Sequence, residues 1–157
     1  GSIVDIDAGI LDIDVTGAAT LDAASLALTG AVTVATGIQS TTVARTATDD
    51  GTGNGTIAAG TSTVLVDADS DANHIIILPA PVVGNVIILI ENGTTGYELR
   101  SSAADTVAIN GNTPSAGHES AIVGAVEYVR CVCTSSTTWI ATQFIANGTE
   151  SAVTPAA

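Results

Sequence analysis

The chain has 157 residues and carries 16 acidic side chains against three arginines and no lysine, a formal charge of −13 at pH 7. So acidic a chain does not bind nucleic acid by neutralising phosphates, and it does not bind anionic membranes. The absence of lysine excludes Schiff-base chemistry and a lysine-containing phosphate loop. Because 46% of the residues are hydrophobic and only 12% are charged, the chain as a whole is too apolar to be disordered.

Residues 1–46 predict an N-terminal arm of short β-strands in which aliphatic and acidic side chains alternate. The segment has no aromatic residue, so by itself it does not offset an ordering entropy of about 1–2 kcal/mol per residue. We expect identical arms to wind together on a common axis, or the arm to lie on another protein. The alternative is an extension folded back on its own domain. The clearest alternating positions are Val4, Asp5, Ile6 and Asp7, then Leu11, Asp12, Ile13, Asp14 and Val15.

Residues 47–60 are rich in glycine and threonine and predict a flexible linker. The run Gly-Thr-Gly-Asn-Gly at 51–55 is not a dinucleotide-binding fingerprint. The third glycine of that pattern falls on Thr56, and we predict neither a strand before the run nor a helix after it.

Residues 61–146 predict an all-β domain, because short apolar runs alternate with turns that contain glycine, asparagine or proline. The run at 85–91 is apolar on both faces, which predicts a central strand. All four aromatic residues lie in this half, so we place the compact core here. Eight strands indicate a β-sandwich or jelly roll, followed by a flexible tail at 147–157. The predicted strands are 62–67, 73–79, 85–91, 96–101, 106–110, 119–123, 126–133 and 138–145.

Catalytic residues are not predicted. His118 lies beside Glu119 and Ser120, but the Gly-x-Ser-x-Gly elbow that presents a nucleophilic serine is missing from the sequence. His74 opens a predicted strand with no nucleophile next to it. We therefore expect that the protein is not an enzyme and uses no cofactor.

Cys131 and Cys133 lie two positions apart in a predicted strand, so their side chains point to the same face in parallel. This is a poor geometry for a disulfide between them. We expect free thiols that act as small buried apolar groups. An interchain disulfide and a metal ligand are the alternatives, although a Cys-x-Cys pair with scattered histidines lacks the spacing of structural zinc sites.

The acids Asp67, Asp69 and Asp71 alternate as at the start of a calcium-binding loop. The EF-hand pattern fails at its sixth position, which is Ala72, and at its twelfth, which is Leu78. We expect a solvated loop between two strands and predict no metal site, with a calcium turn of another type as the alternative.

Two stretches of the chain resemble structural proteins of tailed bacteriophages. The first comprises residues 12–22 (Asp-Ile-Asp-Val-Thr-Gly-Ala-Ala-Thr-Leu-Asp) and 28–34 (Leu-Thr-Gly-Ala-Val-Thr-Val). It is similar to strand repeats of phage fibre and head-decoration proteins, which often lie at trimer axes. The second is similar to a small β-domain of phage and prophage structural proteins. Its residues are Leu78-Pro79 with a turn to Gly84, Ile88 to Gly93, Asp105-Thr106-Val107, Asn110-Gly111 and Thr138-Trp139.

The resemblance implies a virion structural protein: a capsid cement or decoration protein, homotrimeric, on the exterior of a phage head. Its partners are then the major capsid protein and its own copies, and neither nucleic acid nor a membrane. The alternatives are a tail-fibre or receptor-binding tip that binds host glycans, and a surface-layer or adhesin domain. The residues expected to contact the capsid or a neighbouring protomer are Ile3, Val4, Asp5, Ile6, Asp7, Leu11, Asp12, Ile13, Asp14 and Val15.

Overall fold

The computed structural model describes residues 42–67, 71–93, 95–103, 105–113, 120–122, 126–145 and 147–155. All of them belong to one compact unit that starts at Ile38. Within these ranges there are eleven strands, one 3-10 turn at Gly53–Gly55 and no α-helix, so the predicted all-β class is confirmed. The strands are β1 (Thr42–Thr46), β2 (Thr63–Asp67), β3 (Ile75–Ile77), β4 (Val86–Glu91), β5 (Tyr97–Arg100), β6 (Ala108–Ile109), β7 (Ser120–Ile122), β8 (Val126–Ser135), β9 (Thr138–Ile145), β10 (Glu150–Ala152) and β11 (Thr154–Pro155).

The eight predicted strands correspond one by one to β2–β9. Each forms where a short run of residues, either alternating apolar and polar or continuously apolar as in β3 and β4, lies between turn residues. The predicted bounds extend past the observed ones most at the short strands β3 and β6.

The first sheet has seven strands in the order β1-β2-β4-β8-β9-β10, with β6 added alongside β9. The strands β1, β2 and β4 run parallel, whereas β4, β8, β9 and β10 are antiparallel neighbours. The predicted central position of β4 is confirmed, since it lies between β2 and β8. Only one of its faces is fully buried: Ile87 and Leu89 are 0% exposed, while Val86 on the other face is 42% exposed.

The second sheet has four strands in the order β11-β7-β5-β3. Its buried side chains and the buried face of the first sheet form one continuous core, as in a β-sandwich. Trp139 from the first sheet and Tyr97 from the second are the two largest fully buried side chains. Burying an aliphatic side chain contributes about 1.5–3 kcal/mol, so this shared core is the main stabilising interaction of the domain.

Residues 47–60 differ from the flexible linker that the sequence predicts. They run along the free edge of β3, where Thr48 pairs with Ile75 and the Ile57 amide donates to the Ile77 carbonyl at 3.0 Å. Ala47 and Ile57 are 1% and 2% exposed. The segment therefore covers a sheet edge that would otherwise present unpaired backbone groups. Its glycines allow the backbone of the segment to lie close to β3.

The domain also begins earlier than the predicted boundary at residue 61. Residues 42–46 form β1, an edge strand whose parallel register pairs Thr42 with Thr63 and Thr46 with Asp67. A parallel partner is separated by a long connection, and local alternation in the sequence does not reveal such pairing. The rest of the predicted arm, residues 1–41, lies outside the described residues.

The segment 147–155 is not a flexible tail as predicted. It adds β10 to the first sheet beside β9 and β11 to the second sheet beside β7. Between them Val153 is only 2% exposed. Short strands of small polar residues are stabilised here by tertiary pairing, which their own sequence does not predict.

Asn110 holds together the turn after β6, the strand β9 and the segment around Val153. It has a positive φ of 53°. Its side-chain amide donates to the carbonyls of Ala141 at 2.8 Å and Val153 at 2.9 Å. Its side-chain oxygen accepts the Ala141 amide at 2.8 Å. One side chain thus joins three separate pieces of backbone.

We predict that Gly51→Ala destabilises the domain more than Gly53→Ala. Both glycines have positive φ, +75° and +61°, which costs alanine about 1–2 kcal/mol. A Cβ at Gly51 also lies 2.5 Å from Cγ1 of Ile77, whereas a Cβ at Gly53 meets no atom within 4 Å. Overpacking adds about 1–3 kcal/mol, so urea unfolding should separate the two variants. Equal losses would contradict the packed position of this loop.

We predict that Asn110→Ala lowers the free energy of unfolding by about 2–4 kcal/mol, because three hydrogen bonds are lost and buried groups stay unpaired. Asn110→Gly removes the same bonds but tolerates the positive φ, so it should recover about 1 kcal/mol of that loss. Chemical denaturation of both variants measures this difference. A glycine variant as stable as the original chain would show that the side-chain bonds contribute nothing.

Candidate functional site

The ten residues between Ile3 and Val15 that are predicted to contact the capsid or a protomer lie outside the described residues. The same holds for His118, Glu119 and Asp69. The structure does place His74, the two cysteines and all four aromatic residues, and it presents two further surfaces with the character of binding sites.

The first surface is an open depression of about 450 Å³ where β1 runs into the loop that covers β3. We call it the His74 depression. Its lining residues are Thr46, Ala47, Thr48, Asp49, Asp50, Asn54 and His74.

The polar groups of the His74 depression bond mainly to one another and to the local backbone. His74 Nε2 lies 2.5 Å from Oδ1 of Asp49, whose side chain is 91% exposed. Asp50 accepts hydrogen bonds from the Thr52 amide at 2.9 Å and the Thr52 hydroxyl at 2.8 Å. The Thr52 amide is the main reason that the pKa of Asp50 is lowered. Asp50 is therefore an anion that closes a turn.

Hydrogen bonds within the protein use further polar groups of this depression. The Asp49 carboxylate that contacts His74 is exposed to solvent, which weakens electrostatic contacts, and the Thr48 hydroxyl already donates to the Thr52 carbonyl at 3.1 Å. No three of the described histidine, cysteine, aspartate and glutamate residues come together as a metal-binding group.

The described acids of the calcium-like run bond to protein amides. Asp71 accepts the Asn73 backbone amide at 2.9 Å, which lowers the pKa of the Asp71 carboxyl. Asp67 accepts the side-chain amide of Asn92 at 2.8 Å. These contacts are typical of turns that cap a strand.

The two cysteines are free and buried, as predicted. Cys131 lies in β8 between Ile87 of β4 and Ala141 of β9. Burial raises the pKa of the Cys131 thiol to about 12, and burial also raises the pKa of Cys133. Cys133 Sγ donates to the Ser135 carbonyl at 3.1 Å. Neither thiol has the lowered pKa of a catalytic nucleophile.

The second surface is the solvent side of the seven-stranded sheet, which we call the outer face. Leu65 is 36% exposed and Val86 and Ile140 are each 42% exposed. Tyr128 and Phe144 stack there with ring centroids 4.4 Å apart and an interplanar angle of 17°. The outer face comprises Leu65, Val86, Ile88, Ile90, Tyr128, Val132, Ile140 and Phe144, with Thr63, Arg130 and Thr142 among them.

Sequence reasoning missed the outer face, although the signal was present. It used the apolar residues on both sides of β4 only to predict a central strand, and it used the aromatic residues only to place the core in this half of the chain. In fact Trp139 and Tyr97 are buried, whereas Tyr128 and Phe144 are half-buried on the solvent side. A strand that is apolar on both sides has two faces that can be buried, and the second face need not be covered by the same chain.

We predict that neither cysteine of the folded protein reacts with a thiol reagent at pH 8. At that pH the Cys131 thiol, with a pKa of about 12, holds a negligible thiolate fraction. The pKa of Cys133 is also raised, and burial of both side chains excludes the reagent. In urea both thiols should react at the rate of a free cysteine. Stoichiometric labelling under native conditions would contradict the buried positions of β8.

No helix in the described part of the chain is both long and apolar enough to cross a membrane. No family model matches the chain, and no curated protein or solved structure is significantly similar to it.

Proposed function

We propose that the protein is a virion structural protein, a cement or decoration protein that binds the outside of a tailed-phage head as a homotrimer. The proposal starts from the sequence resemblance and from the way in which the residues that carry it are used in the fold.

One observation supports the proposal best: several of the residues that resemble the phage β-domain help to hold this domain together. Leu78 and Trp139 are 0% exposed and Val107 is 5% exposed, all in the same core. Gly84, at φ +90°, turns the chain into β4 and donates its amide to Cys133. Asn110 makes the three bonds described above. The residues that carry the resemblance therefore have structural roles in this domain, and this use of them is what supports the proposal.

The proposed mechanism needs no chemistry, only binding to the assembled shell. A ligand that binds the assembled state and not its separated subunits stabilises the assembly by mass action. Three linked copies add avidity, because the second and third contacts form at high effective concentration. In this mechanism the aliphatic residues of the arm fill a groove. The acids Asp5, Asp7, Asp12 and Asp14 then meet basic capsid groups, so binding weakens as salt rises.

We predict that deleting residues 1–22 abolishes binding to undecorated phage shells while the domain stays folded. The full chain should co-sediment with the shells and raise their disassembly temperature, and the deletion should do neither. Circular dichroism and urea unfolding check that the domain is intact. Unchanged shell binding by the shortened chain would contradict the role of the arm, and sedimentation with host cells instead of shells would favour a tail-fibre tip.

A matched pair of charge variants sharpens this test. Asp5→Asn with Asp7→Asn should weaken shell binding and reduce its salt dependence. Asp49→Asn with Asp105→Asn removes two exposed acids from loops of the domain and should leave shell binding unchanged.

A further inference from the structure

The outer face is built from three cross-strand rows that follow the register of β2, β4, β8 and β9. The first row contains Leu65, Ile90, Tyr128 and Phe144, the second Thr63, Ile88, Arg130 and Thr142, and the third Val86, Val132 and Ile140. Directly opposed side chains on adjacent strands lie about 4.5–5.5 Å apart. The apolar side chains of the three rows therefore form one continuous surface.

This surface differs from the solvent side of an ordinary sheet. An antiparallel sheet with one wet face alternates apolar residues inward and polar residues outward, but here both sides of β4 are apolar. Four strands about 4.8 Å apart and about 20 Å long cover roughly 400 Å². Eight of the eleven side chains on this footprint are apolar, so the patch is comparable with the largest apolar patch of a typical monomer, which is often functional.

The composition of the outer face is that of an interface core. The chain has only four aromatic residues, and two of them, Tyr128 and Phe144, are placed here in a stacked pair. Aromatic enrichment together with depletion of charge distinguishes the centre of protein interfaces from the rest of a protein surface.

The charge distribution identifies the partner. The whole chain carries −13, so two copies repel each other wherever their acids face. The described outward positions from β2 to β10 carry two acids, Asp67 and Glu150, at the rims and one base, Arg130, in the middle row. The centre of the outer face is therefore free of acids, so a second copy can approach it with little repulsion. Arg130 of one copy is also complementary to the acidic rim of another.

We infer that the outer face of the seven-stranded sheet is the surface through which copies of this chain associate. The inference stands on the register, exposure and charge of the described domain and does not depend on the proposed function. Within the proposed homotrimer it specifies where the domains touch, in addition to the arms.

Sedimentation velocity of the full chain, without any capsid present, tests the inference. The original chain should form an oligomer. Leu65→Glu with Ile140→Glu places two charges in the contact, and like charges at an interface cost several kcal/mol. Self-association should then weaken roughly 100-fold or more. The control, Ala58→Glu with Ala59→Glu, adds the same charge at exposed loop positions and should leave association unchanged.

A second measurement uses the unaltered chain and avoids any effect of substitutions on folding. Hydroxyl-radical oxidation of Tyr128 and Phe144 should fall as protein concentration rises through the range of association. The inference is overturned if the chain is monomeric at all concentrations, if the outer-face variant keeps the original oligomer, or if oxidation of these two rings does not depend on concentration.

Discussion

The structure depends on burying one face of the seven-stranded sheet against the four-stranded sheet. Trp139 and Tyr97 supply much of the volume of this core, and small residues such as Ala141 and Cys131 lie on the same buried face. Large and small side chains together fill the space between sheets that lie about 10 Å apart. Without this shared core, sheets with such short strands are marginal in water.

The other features of the domain protect the edges and ends of these two sheets. The segment 47–57 covers the free edge of β3, and β10 and β11 add one strand to each sheet from the end of the chain. Asn110 bonds β9 to the segment around Val153. In the described part of the chain, loops, short strands and single side chains, and not helices, cover the edges and ends of the two sheets.

The acidity of the chain has a partly structural explanation. Asp50 and Asp71 each accept a backbone amide two residues further on, and Asn147 does the same with its neutral side chain. Such turns need a short side chain with an oxygen acceptor, and the amide that each carboxylate accepts lowers its pKa. These two acids therefore stabilise loops. On the described outer face, by contrast, the acids Asp67 and Glu150 lie at the rims and the centre is apolar around Arg130.

The candidate surfaces were less predictable than the strands. The free, buried state of Cys131 and Cys133 follows from their spacing on one strand, because period-two alternation is a local property. The His74 depression does not follow from a local pattern, because it brings Asp49, in the loop after β1, into contact with His74, which precedes β3. In the sequence, the outer face corresponds to apolar residues on the second side of β4 and β9. Whether that second side contacts its own chain or another one depends on whether a further sheet of the same chain covers it.

The sequence by itself determined the all-β class, eight of the eleven described strands and the central place of β4. These follow from hydrophobic alternation and turn residues, which act within a few positions of the chain. Only the tertiary structure decided that residues 42–60 belong to the domain, that the segment after Asn147 forms strands, and that Tyr128 and Phe144 face outward. Each of these depends on pairing or covering between segments far apart in the chain, and long-range contacts of that kind leave no local pattern to read.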